Sequence, residues 1–123
     1  MGNPVIHFEV TGADGAKLGS FYSQLFGWEI DANDEFGYGM VDREANLGAD
    51  GVGIGGGIGT AQGGGSGQVT FYVGVPDVDA ALAKAESLGG KKLFSGPVPG
   101  TPIVLGPFTD PEGHVIGVMQ TPA

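Results

Sequence analysis

Polar and apolar residues alternate over 5–10 and again over 69–75, the period of a strand with one buried face. An aspartate follows each run, Asp14 in the first case and Asp77 in the second. Beyond it the apolar positions fall three and four apart: Leu18, Phe21/Tyr22 and Leu25, then Val78, Ala81/Leu82, Ala85 and Leu88. This spacing predicts helices over 15–26 and 78–88, each with an aspartate accepting backbone N–H bonds at its start. Glycine ends both patterns, Gly27 and Gly89-Gly90, where a residue lacking Cβ enters the left-handed region at low cost. Three more strands follow in each half, over 28–30, 38–42 and 51–58, then 91–95, 103–108 and 115–120.

The two halves match under a shift of 63 residues. Phe8 falls on Phe71, Val10 on Val73, Asp14 on Asp77, Leu25 on Leu88 and Gly27 on Gly90. The same shift sets Met40-Val41 on Ile103-Val104 and Val52 on Val115. A single domain of 123 residues is therefore expected, built from two βαβββ modules, 4–58 and 68–121, joined by a glycine-rich linker over 59–67. The expected class is α+β, an eight-stranded mixed sheet curled into a cup with helices on its convex side.

Composition narrows the function. Apolar residues make up 41% of the chain, enough for a core despite 26 glycines. With no cysteine, disulfides, thiolate metal sites and a cysteine nucleophile are all excluded. The net charge of −9 comes from fourteen carboxylates against five lysines and arginines, a field that repels phosphates. Nucleic acid and anionic membranes are therefore excluded as partners, while a cationic small molecule would be attracted. Neither a signal-like apolar run near Met1 nor a run of membrane-spanning length is seen, so a cytoplasmic location is expected.

The opening strand with His7, the run Phe21-Tyr22-Ser23-Gln24-Leu25-Phe26-Gly27-Trp28, the start Asp77-Val78-Asp79-Ala80-Ala81-Leu82, the stop Leu88-Gly89-Gly90 and the turn Asp110-Pro111-Glu112-Gly113-His114 together resemble the glyoxalase, bleomycin-resistance and extradiol-dioxygenase proteins of the vicinal oxygen chelate superfamily. The resemblance spans nearly the whole chain. It implies a homodimer whose cups hold small molecules, and it embraces metal-dependent isomerases and dioxygenases as well as metal-free proteins that sequester a drug. In metal-using relatives the ligands come from the first and last strands of each module, typically histidine on the former and glutamate on the latter. The matching positions here are His7, Ile54, Thr70 and Gly117.

One good ligand in four is too few, because a catalytic zinc or iron site takes about three protein donors. No metal or other cofactor is therefore expected. Alternation turns His7 and Glu9 away from the helix, and Thr70 and Tyr72 take the same places in the second module. The candidate ligand-binding residues are His7, Glu9, Ile54, Thr70, Tyr72 and Met119, in a pocket with further apolar wall from Val52 and Val115. Trp28, Phe36 and Tyr38 are candidates for an aromatic rim or for core. His114 follows a turn glycine and is expected to face solvent. The run Gly51-Val52-Gly53-Ile54-Gly55-Gly56 satisfies a dinucleotide fingerprint but is followed by more glycine in place of the required helix.

Two functions remain in view. The first is metal-free binding of a small aromatic or cationic molecule. The second is an enzyme, either a metal-dependent lyase, isomerase or dioxygenase with a degenerate site, or a metal-free isomerase or cyclase moving protons with His7 and Glu9.

Overall fold

A computed structural model describes residues 2–33, 38–61, 65–98 and 101–120. Contacts divide the chain into two compact units, Ile6–Val69 and Met1–Val5 with Thr70–Ala123, so the division falls close to the boundary between the modules. Nine strands and two helices lie within the described residues, giving the expected α+β class.

In the first unit β1 (Val5–Gly12) leads into α1 (Gly15–Phe26), and β2 (Ile30–Asn33), β3 (Tyr38–Val41) and β4 (Gly55–Thr60) follow. The strands lie in the order β2-β3-β4-β1, with β4 parallel to β1 and the other pairs antiparallel. Asp14 caps α1 by accepting from the Lys17 N–H at 3.0 Å, and Gly27 ends it with φ of 72°. The helix begins hard against β4, where the Gly15 N–H donates to Thr60 Oγ1 and a Cβ on Gly15 would strike β4 backbone. Phe8, Tyr22, Phe26 and Trp28 form one aromatic cluster, with Phe8 and Trp28 ring centroids 5.3 Å apart. Val41 and Ile58 complete this core at 2% exposure.

The second unit repeats the plan with β5 (Val69–Gly74), α2 (Val78–Ser87), β6 (Lys91–Lys92), β7 (Gly96–Pro97), β8 (Val104–Thr109) and β9 (Val115–Gln120). Its strands run β5-β9-β8-β6, with β7 also on β8 and β9 parallel to β5. Asp77 caps α2 through the Ala80 N–H at 3.0 Å. Val78 and Leu82 of α2 are fully buried and pack with Val118, surrounded by Val73, Val75, Ala81, Val104 and Phe108. The Gln120 side chain adds a second cap, accepting the Val78 N–H at 2.6 Å.

Three expectations need correction. The strand expected over 91–95 shortens to β6 at Lys91–Lys92, and the separate short strand β7 beyond it raises the strand total to nine. The strand expected over 51–58 begins only at Gly55, because a turn closed by the Gly51 N–H to Gly48 O, with Gly51 at φ of 80°, occupies the preceding residues. The shift of 63 also fails beyond the helices. Glu9 pairs with Gly57 and Tyr72 with Gly117, so the last strands correspond under a shift of 60. Residue for residue, Gly57 and not Ile54 is the partner of Gly117. By the same register Met40 corresponds to Pro107, because Met40 pairs with Gly57 and Pro107 with Gly117.

Candidate functional site

Alternation in β1 sends Phe8 to the α1 side, against Gly56, and His7 and Glu9 to the other. On that second face β4 offers only glycine, Gly55 opposite His7 and Gly57 opposite Glu9. The vacancy is filled from β3. Tyr38 lays its ring over Gly57, so closely that a Cβ on Gly57 would collide with the phenol oxygen. This brings Tyr38 Oη within 3.0 Å of His7 Nε2 and 3.1 Å of Glu9 Oε1.

The proton positions follow from the donor inventory. A carboxylate only accepts, and a phenol has one proton, so Tyr38 donates to Glu9. The bond between His7 Nε2 and the phenol oxygen orients the imidazole. Burial lowers the His7 pKa below its ordinary value of 6.5, because the charged imidazolium loses hydration. The imidazole is thus neutral near pH 7.

His7 lines an open groove of about 610 Å³ within the same unit. Asp31 and Met40 are cross-strand partners on the His7 face, and Glu29, Asp42 and Arg43, the one cation of the lining, also border the groove. The Arg43 guanidinium bonds Glu44 at 2.9 Å, which offsets its charge. Asp42 also holds the turn over Glu44–Asn46 by accepting the Ala45 N–H.

The other expected residues are distributed differently. Thr70 and Tyr72 are buried in the second unit, where the Thr70 hydroxyl donates to Val115 O at 2.6 Å and the Tyr72 ring lies over Gly117. Met119, two residues on, is buried on the same face as Gly117. Ile54 and Val52 lie exposed in the loop before β4. Trp28 belongs to the aromatic core, and Phe36 falls outside the described residues. His114 is exposed and stays within its turn, its Nδ1 2.9 Å from Asp110 Oδ2. That turn holds the Asp110 carboxyl below the ordinary carboxylate range, chiefly through the His114 backbone N–H.

The chelating positions can now be tested. Both last-strand positions are glycine, and each is roofed by a tyrosine ring that leaves no room for a carboxylate side chain. Among the described residues no three histidine, cysteine, aspartate or glutamate side chains gather into a set able to hold a metal ion. This donor set does not fit a divalent catalytic metal, which needs about three ligands.

The family model for a glyoxalase-like domain matches residues 7–119. The chain belongs to the glyoxalase-like family. Solved structures agree in fold. A Streptomyces coelicolor methylmalonyl-CoA epimerase variant in complex with 2-nitronate-propionyl-CoA superposes with a TM-score of 0.66 at 18% identity, over 98% of this chain and 99% of that one. A glyoxalase/bleomycin resistance protein/dioxygenase superfamily member from Vibrio splendidus 12B01 gives 0.63 at 17% identity, over 97% and 98%. The methylmalonyl-CoA epimerase of Mycobacterium tuberculosis gives 0.61 at 16% identity, over 97% and 88%. No curated protein matches the sequence. The resemblance drawn from the motifs therefore holds for family and fold, and the glyoxalase-like chain departs from the chelating pattern at Gly57 and Gly117. Among its described residues no helix is long and apolar enough to cross a membrane.

Sequence reasoning missed two features of this glyoxalase-like site. The sequence marks Tyr38 only as rim or core, although a tyrosine on the strand beside a glycine-dense one is the signal for a ring crossing the vacancy. The groove carboxylates come from the start of β2 and from the residue after β3, positions that only the pairing of the two strands brings together.

Proposed function

We propose that this protein binds a small organic cation, aromatic or partly apolar, in the groove beside His7, and that it does so without a metal ion. The observation that supports the reading is the lining, which holds Met40 and three acidic residues, Glu29, Asp31 and Asp42, and whose lone cation is engaged by Glu44. The net charge of −9 adds a long-range attraction of the same sign. A coenzyme A thioester, as bound by the epimerase structures of similar fold, carries phosphates that this lining would repel. The family's homodimeric form and a cytoplasmic setting remain part of the proposal.

The test is a thermal-shift titration with benzyltrimethylammonium and with benzoate, which share a ring and differ in charge. Stabilisation by the cation alone, weakened by added salt and lost in Asp31→Asn/Asp42→Asn, is the expected result. Equal stabilisation by benzoate, or none by either compound, would overturn the reading.

A further inference from the structure

We propose that the groove beside His7 takes a zwitterion, a small molecule with a cationic nitrogen at one end and a carboxylate at the other, and that Arg43 binds the carboxylate. The inference rests on the groove reading above and goes beyond it by assigning the ligand's second charged group. Three observations converge on it. The first is the sorting of charge, since the lining holds Glu29, Asp31 and Asp42 together with Arg43 as its one cation. Register sets Asp31 on the His7 face: Asp31 pairs with Met40, Met40 with Gly57, and Gly57 with Glu9, two residues along β1 from His7. The second is where Arg43 is rooted. Gly55 lies opposite His7, and a Cβ on Gly55 would come within 3.3 Å of Arg43 Cβ, so the stem of Arg43 borders the space that this glycine leaves beside His7. The third is the partner of Arg43. Its guanidinium bonds Glu44 at 2.9 Å, with the two side chains 51% and 77% exposed, and Glu44 stands outside the lining.

An ion pair between neighbours this exposed contributes little, so the guanidinium can exchange Glu44 for a ligand carboxylate at small cost. The bond to Glu44 runs through Nη1, whereas a ligand carboxylate can take two parallel bonds from the planar guanidinium. At the other end Asp31 meets the cationic nitrogen, and Met40, half exposed beside it, packs on the apolar body between. An anion alone is opposed by three acidic residues, and a cation alone leaves Arg43 with Glu44. A molecule that carries both charges satisfies both parts of the lining.

The test is calorimetric titration at low salt with benzyltrimethylammonium and with 3- and 4-(trimethylammoniomethyl)benzoate, which add a carboxylate to the same cation at two spacings. At least one of the two zwitterions should bind about tenfold tighter than the plain cation, the scale of one charge-assisted contact. That advantage should vanish in Arg43→Gln. It should persist in Lys17→Gln, which removes an equal charge from the exposed side of α1, so that a contact is separated from a general field. Glu44→Gln, which releases the guanidinium, should keep the advantage or widen it. Zwitterions no tighter than the plain cation, an advantage that survives in Arg43→Gln, or one lost equally in Lys17→Gln or in Glu44→Gln would each overturn the proposal. Where the plain cation binds and neither zwitterion gains, this inference falls and the cation reading stands. Where a zwitterion binds through Arg43 and the plain cation does not bind, the cation reading falls and this inference stands. Binding of none of the three removes both.

Discussion

Gly57 and Tyr38 are a matched pair, since the phenol occupies the space that a side chain at 57 would take. A methyl group at 57 must push the phenol aside or strain β4. Gly57→Ala should therefore cost about 1–3 kcal/mol, as overpacking does, while the same change in a Tyr38→Ala background should cost much less. Urea denaturation of the four proteins measures both numbers. His7 offers a second check, with a defined sign. Its folded pKa lies below 6.5, so between those two values the unfolded chain binds a proton that the folded chain refuses. That penalty is absent above the unfolded value, grows as pH falls through it, and is complete below the folded value. Wild type should accordingly lose more stability than His7→Gln between pH 7.5 and 5, as read by melting temperature. At this scale the sequence was informative where a side chain itself carries the chemistry: His7 and Glu9 are together, on the face that alternation assigned. It was silent on Tyr38, because the phenol's place depends on which β4 residue lies beneath it.

Helices were legible to the residue where both ends carried a chemical signal. α1 starts after Asp14 and stops before Gly27, as the cap and the left-handed glycine require. α2 starts after Asp77 and ends at Ser87, one residue short of the pattern. Each cap is expected to contribute about 1 kcal/mol, so Asp77→Ala should lower stability by that amount in a denaturant titration. Leu82 is fully buried between α2 and its sheet, and Leu82→Ala should cost about 2–5 kcal/mol in the same assay. Strands were less legible for a physical reason. Register is read from alternating side chains, and β4 is glycine at Gly55, Gly56, Gly57 and Gly59, which offers almost no alternation to read. The slip of three residues that set Ile54 beside Gly117 arose there. β2 began two residues beyond the expected position because Trp28 was drawn into the aromatic cluster over α1.

For the whole molecule, duplication is the organising fact. Both units run a strand, a capped helix and a parallel last strand beside the first, and both carry glycine under a tyrosine ring in that last strand. With glycine at both last-strand positions the chain has one good metal ligand at the four positions, and its first unit holds a hydrogen-bonded imidazole, phenol and carboxylate. The net charge of −9 and the acidic residues of the groove both favour the cationic ligand proposed above. The most direct measurement is elemental analysis of the protein purified without chelators and then dialysed against zinc, iron, nickel and manganese in turn. Far less than one equivalent of each metal per chain, unchanged in His7→Ala, is the expected result. One tightly held equivalent that disappears in His7→Ala would contradict the proposal of binding without a metal.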